Sequence, residues 1–260
     1  MSNLSLLILV LVFFLTSVLG VVTGSNSLIT VPAMFQLGVD EKVAVATNMF
    51  GLVFMAIGGA IPFLRQGTIN IRRLSPLIIL TIVGSAIGAA IVGLITNRSI
   101  KVIVTVAMIV IVLFTLLKNN QRPRSVEEEI EKDDKAAPVG GNMIFGFIAT
   151  FLLAIYGGLY SGGYVTVLTA TFIAFFGMSF AESIAATKVI NIFSSSIATA
   201  VFIYQGFVDF RLGVILGITM FVAAYIGAQF ATRMNETWLR RIFLSAVLLL
   251  AVKTVVDLAF

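Results

Sequence analysis

The sequence predicts an all-α polytopic membrane protein made of two inverted repeats, each a re-entrant helical hairpin followed by three transmembrane helices. Three observations carry this prediction: an apolar composition, two over-long apolar runs broken by small residues, and a residue-level match between the halves. The chain has 260 residues, 59% of them hydrophobic and 11% charged, with a mean hydropathy of +1.10. Soluble chains carry about 25% charge, so almost all of this chain belongs in a bilayer.

The first run covers residues 4–36 and the second residues 143–176. A membrane-spanning helix needs about 20 residues, so each run is too long for one span. The second is interrupted by Ile155-Tyr156-Gly157-Gly158-Leu159-Tyr160-Ser161-Gly162-Gly163-Tyr164, and the first by Gly20 and Thr23-Gly24-Ser25-Asn26-Ser27. Glycine and serine continue a helix poorly. Broken backbone at membrane depth is tolerated only where protein buries it or a wet cavity receives it, so both breaks mark a candidate site.

The elements follow in order. After the first run come a short polar loop at 38–42 and spans at 43–64, 74–95 and 102–117, separated by a basic loop at 65–73 and a short connection at 97–101. Residues 118–141 form a charged linker with Pro123 and Pro138 at its flanks, read as a solvated cytoplasmic tether. The second half repeats the pattern: a polar loop at 177–182, then spans at 183–204, 212–231 and 242–258. The expected division is therefore a first repeat at 1–117, the linker at 118–141 and a second repeat at 142–260.

Local matches support the duplication. Ile29-Thr30-Val31 aligns with Val165-Thr166-Val167, and Ala46-Thr47-Asn48 with Ala186-Thr187-Lys188. Residues 66–72 (QGTINIR) align with 205–211 (QGFVDFR), and Gly88-Ala89 falls on Gly227-Ala228 at the same offset. Such ordered matches indicate an internal repeat.

Loop charges set the expected orientation. With each broken run re-entrant, Arg65, Arg72, Arg73, Lys118, Arg122, Arg124, Lys132, Lys135, Arg233, Arg240 and Arg241 lie on one side, against Lys42, Arg98, Lys101 and Arg211 on the other. If each run crossed once, the split would be nine to six instead of eleven to four. The positive-inside rule prefers the re-entrant arrangement, with both termini outside and the second repeat inverted. Met1-Ser2-Asn3 lacks the basic start of a secretory signal, so none is expected.

The chain contains neither histidine nor cysteine. That removes thiolate metal sites and histidine base chemistry, and there is no Walker loop. No enzyme activity, cofactor or metal is expected. The net charge of +5 belongs to loops flanking apolar spans, so no nucleic-acid partner is expected either.

Lys188 is the sharpest single residue. A charge costs roughly 2.5–3.5 kcal/mol at the bilayer centre, less near an end. Asn191, Ser195 and Thr199 follow it at spacings of three, four and four, which puts an ammonium, an amide and two hydroxyls on one helical face. One reading is an anion-coordinating stripe facing the second break; the other is a snorkelling lysine beside small packing residues. Thr47 and Asn48 occupy the matching positions of the first copy without a charge, so the expected site is asymmetric.

Helices ending at mid-membrane present free N–H groups and positive dipole ends to anions. Gly157, Gly158, Gly162 and Gly163 allow close backbone approach, and Ser25, Asn26, Ser27 and Ser161 add donors. The candidate binding set is therefore Ser25, Asn26, Ser27, Thr47, Asn48, Gly157, Gly158, Ser161, Gly162, Gly163, Lys188, Asn191 and Ser195. Carboxylates stay at loop edges, and Lys253 with Asp257 reads as an ordinary i,i+4 pair, so no proton relay is expected.

The repeated unit resembles the TauE/SafE family of membrane transporters, the sulfite exporter type. The break followed by Ile29-Thr30-Val31-Pro32, the helix starts Ala46-Thr47 and Ala186-Thr187-Lys188-Val189-Ile190-Asn191, and the loop Gly206-x-Val208-Asp209 carry the resemblance. The first break departs from the family's glycine-rich form, reading Gly24-Ser25-Asn26-Ser27. The resemblance implies secondary transport of sulfite or organosulfonates across the inner (plasma) membrane. A channel-like anion pore, a carrier for another organic anion and a non-transporting scaffold are the alternatives. Expected partners are a small anionic substrate and the lipid bilayer, and the reading allows a homodimer. With the cell interior negative, 100 mV is worth about 2.3 kcal/mol per charge, which favours anion export without a coupling ion.

Overall fold

The computed structural model describes residues 2–24, 26–65, 71–118, 142–178 and 180–230. Among these, nine helices appear: α1 (Asn3–Thr23), α2 (Ser27–Gln36), α3 (Glu41–Arg65), α4 (Ile71–Leu94), α5 (Asn97–Lys118), α6 (Met143–Leu159), α7 (Tyr164–Phe176), α8 (Phe180–Tyr204) and α9 (Phe210–Phe230). The expected last span, the linker and the Lys253–Asp257 pair lie outside the described residues.

Both long runs break where small residues cluster. α1 starts on Ser2, whose hydroxyl accepts from Ser5 N at 3.1 Å, and stops at Gly24 with φ +71°. A left-handed φ ends a helix cheaply only at glycine. In the second run α6 is capped by Asn142 and continues through Gly157 and Gly158 to Leu159. The chain turns at 160–163, and Gly163 caps α7 with φ +77°. That break is narrower than the glycine run suggested, because Gly157 and Gly158 serve helix packing within α6.

The arms of the second break run antiparallel. The Phe147 and Phe176 rings lie 5.3 Å apart, so the start of α6 faces the end of α7. A Cβ on Gly146 would sit 2.8 Å from Phe175 Cβ, which shows how close that return is. The first break is less even: α2 has 10 residues, whereas Asn3–Val21 of α1 supplies 19, long enough to cross a bilayer alone. The other helices long and apolar enough to cross are at Glu41–Pro62, Leu74–Leu94, Glu182–Tyr204 and Phe210–Gln229.

The helix contacts of the two halves correspond. α3 lies against α9 and α8, α4 against α8 and α6, and α1 against α9. Exchanging α1 with α6, α2 with α7, α3 with α8 and α4 with α9 returns the α3–α8 pair to itself and turns each of the others into another observed pair. Glycines set the closest approaches. A Cβ on Gly88 would lie 1.9 Å from Ile155 O, and on Gly158 2.2 Å from Ser85 O, so α4 and α6 pack backbone to backbone. The equivalent Gly227 of α9 would meet Val18 O of α1 at 2.4 Å.

Helix directions follow from named contacts. Lys42 Nζ, at the start of α3, donates to Gly93 O at the end of α4 over 3.2 Å, so these two run antiparallel. Ser85 and Ser194 hydroxyls are 2.6 Å apart, and Gln205 Nε2 donates to Ala89 O at 3.4 Å, so α4 and α8 run parallel. The equivalent helices α3 and α8 therefore run antiparallel to each other.

Outward faces are apolar. Leu4, Leu7, Leu11 and Leu15 form an exposed stripe on α1, and Ile144, Ile148 and Leu152 one on α6. Exposed apolar stripes of this kind, on a helix long enough to cross and on a shorter apolar arm, belong against lipid.

Candidate functional site

The two breaks meet inside the molecule. Tyr160 Oη, in the second break, donates to Ser27 O, in the first, at 2.9 Å. A Cβ on Gly24 would lie 2.7 Å from Val165 Cγ1 and 3.1 Å from Thr166 N, so the first break sits directly on the start of α7. Gly24 thus answers two demands together, a left-handed φ and no room for a side chain.

Beside this junction is a cavity of about 20 Å³. The first break contributes Gly20, Val21, Gly24, Asn26 and Ser27, and the second Ser161 and Val165. Leu52, Met55 and Ala56 come from α3, and Lys188 and Asn191 from α8. One wall is polar and the other apolar. α2 begins at Ser27 and α7 at Tyr164, so the positive ends of two helices border the same space.

Lys188 is 5% exposed and has no ion-pair or hydrogen-bond partner among the described residues. Three ammonium N–H donors are thus held out of water with nothing to receive them. Asn26 is 3% exposed, and both polar atoms of its side chain are buried without a partner. Unpartnered buried polar atoms are rare enough to need an explanation, and a ligand supplies one. Asn191 is supported from below: Ser195 Oγ donates to its Oδ1 at 3.4 Å, which leaves the amide N–H groups as donors.

Ser27 has a double use. Asn48 Nδ2 donates to its hydroxyl oxygen at 2.9 Å, so the serine O–H remains a donor beside the cavity. Thr30 Oγ1 donates to Asn48 Oδ1 at 2.7 Å, and this network pins α2 to α3.

The sequence-derived set therefore divides. Asn26, Ser27, Ser161, Lys188 and Asn191 come together around the cavity. Asn48 and Ser195 stand behind it as supports. Thr47 Oγ1 accepts from Asp209 N at 3.1 Å and ties α3 to the chain entering α9. Gly157 packs against the Tyr164 ring, Gly158 against Ser85, and Gly162 against the Tyr160 ring, with Gly162 O accepting from Tyr156 Oη at 2.5 Å. Gly162 and Gly163 shape the break, Gly157 and Gly158 allow close packing of α6, and none of the four lines the cavity. Ser25 lies outside the described residues. The binding set left out Gly20 and Gly24, which the sequence placed in the first break, and sequence reasoning missed Leu52, Met55, Ala56 and Val165, whose side chains carry no chemistry that would single them out. It also missed Tyr160, the clamp between the breaks.

Comparison with known proteins places the chain in a family. The family model described as Sulfite exporter TauE/SafE matches residues 9–254. A probable membrane transporter protein (ORF9) of Sinorhizobium sp is 22% identical over 244 residues, covering 94% of this chain and 90% of that one. A probable membrane transporter protein of Haemophilus influenzae is 23% identical over 252 residues, covering 97% and 95%. The probable membrane transporter protein YfcA of Escherichia coli K12 is 24% identical over 256 residues, covering 98% and 91%. No solved structure matches the chain significantly. With a family match over nearly its whole length, the chain is a membrane transporter protein of the sulfite exporter TauE/SafE family.

Proposed function

We propose that this protein is a secondary carrier that moves small oxyanions, sulfite or an organosulfonate, out of the cell across the inner membrane. One observation carries the reading: an unpaired, buried Lys188 on a cavity bordered by two helix N-termini and by the unpartnered amide of Asn26. Such a site is complementary to negative charge and to little else. The apolar wall of Leu52, Met55 and Ala56 suits the organic part of a sulfonate. Family membership supports the sulfur oxyanion class.

The repeats are inverted in this reading, with the linker in the cytoplasm and both termini outside. The antiparallel course of α3 and α8 and the paired contacts around them support it. Transport proceeds by movement of one repeat against the other about the shared cavity. A cavity of about 20 Å³, bordered by both breaks, supports a carrier over a wide pore. Any step carrying net negative charge outward is favoured by about 2.3 kcal/mol per charge at 100 mV.

The test is sulfite flux in proteoliposomes. Lys188→Met abolishes it while the purified protein stays folded and monodisperse. Unchanged flux in that variant would remove Lys188 from the site and the reading with it.

A further inference from the structure

We propose that the closed carrier holds a small inorganic monovalent anion, chloride in kind, on Lys188, and that substrate crosses only in exchange for it. This rests on the transporter reading and specifies its return step. Lys188 lines the cavity, is 5% exposed and has no acceptor among the described residues. The described carboxylates are engaged elsewhere, at helix ends. Asp40 accepts from Lys42 N, Val43 N and Asn97 Nδ2, Asp209 accepts from Leu212 N, and Glu41 and Glu182 sit in the first turns of α3 and α8.

A buried ammonium without a counter-charge is costly, because its lost hydration is not replaced. The closed state, through which any carrier must pass, is the state in which Lys188 is most deprived of water. A carrier closing with an empty cavity bears that cost, and one closing around an anion does not. The empty return step is therefore slow, and an anion on the far side accelerates it. Coupling arises here from a single fixed positive charge and needs no second ion site.

Size selects the resting occupant. A cavity of about 20 Å³ holds about one water. A halide ion is of that size, whereas sulfite or a sulfonate has at least four heavy atoms and requires the cavity to widen. The donors present match a spherical anion: the Lys188 ammonium, the amide N–H groups of Asn26 and Asn191, and the hydroxyls of Ser27 and Ser161. Charge also balances. Exchange of an outgoing divalent oxyanion for one incoming chloride moves one net negative charge outward, so the membrane potential still favours export.

Two measurements test this on the full chain. In detergent, replacing gluconate by chloride raises the thermal unfolding midpoint saturably, by a few degrees, through binding to the folded state alone. Lys188→Gln, which keeps a polar side chain without the charge, loses that shift. An equal shift in Lys188→Gln, or none in the wild type, overturns the anion site. In proteoliposomes loaded with radiolabelled chloride, efflux is roughly tenfold or more faster into sulfite or chloride than into gluconate. Equal efflux into all three overturns exchange. Absence of any efflux, with the thermal shift retained, overturns the transport reading and leaves the anion site standing.

Discussion

Asn48 and Lys188 align in sequence, each on the helix that follows its break, yet they do opposite things. Asn48 satisfies both ends of its amide, accepting from Thr30 and donating to Ser27, and so fastens its break to its helix. Lys188 is fastened to nothing among the described residues and lines the cavity. The breaks diverge similarly. The first takes its left-handed glycine at the end of α1, the second at the start of α7, and Tyr160 of the second reaches across to Ser27 of the first. The two halves thus share a packing pattern, while one gives its polar groups to holding shape and the other leaves them beside the cavity. The contacts that build the scaffold should fail alike in both halves, and those that build the site should not.

The largest effect falls on the scaffold. Gly88→Ala places a methyl 1.9 Å from Ile155 O, and Gly227→Ala places one 2.4 Å from Val18 O. Backbone oxygens cannot yield as a flexible side chain does, so the helices must part along their length. Overpacking of this kind costs roughly 1–3 kcal/mol and sometimes more. Both variants should lose stability on thermal unfolding in detergent, Gly88→Ala by more. If only one is affected, the halves do not share a packing plan.

Next come two asparagines on either side of the same junction. Asn48→Ala strips buried partners from Thr30 and Ser27, a loss of about 1–3 kcal/mol. Asn26→Ala removes two buried atoms that have no partner, so its unfolding midpoint should stay level or rise, while sulfite uptake weakens. The same substitution should therefore have opposite signs of effect on stability. A clear loss for Asn26→Ala would mean that its amide is structural after all.

How much of this could be read from the chain depends on what each residue must do. The duplicated helices, both breaks and the α3, α4, α8 and α9 spans were legible to within a few residues, because apolar run length and glycine clusters act through local physics. Lys188, Asn191, Asn26, Ser27 and Ser161 were legible because a charge or a donor at membrane depth is conspicuous. The apolar wall was not. Leu52, Met55 and Ala56 are indistinguishable in sequence from any lipid-facing stretch until α3 is placed beside the breaks. Gly157 and Gly158 entered the binding set by proximity to the break, and their closest neighbours are Tyr164 and Ser85, away from the cavity lining. Thr47 was drawn in by its alignment with Thr187, though its hydroxyl serves the entry to α9.

The smallest effect separates the two best-placed lysines. Lys42 Nζ donates to Gly93 O at 3.2 Å and lies 5.1 Å from the Phe207 ring centroid, at the end of the molecule where α3 begins and α4 closes. A cation at a helix C-terminus and over an aromatic face is worth about 0.5–1 kcal/mol where water still reaches it. Lys42→Met keeps most of the packing on Phe207 and should lower stability by less than about 1 kcal/mol. Lys188→Met exchanges an unpaired, desolvated ammonium for an apolar chain of similar length, and should raise stability. The first change leaves sulfite flux intact and the second ends it. Thermal unfolding and flux on both variants separate a lysine that fastens the fold from one that the fold carries at a cost, and destabilisation by Lys188→Met would place it with the first kind.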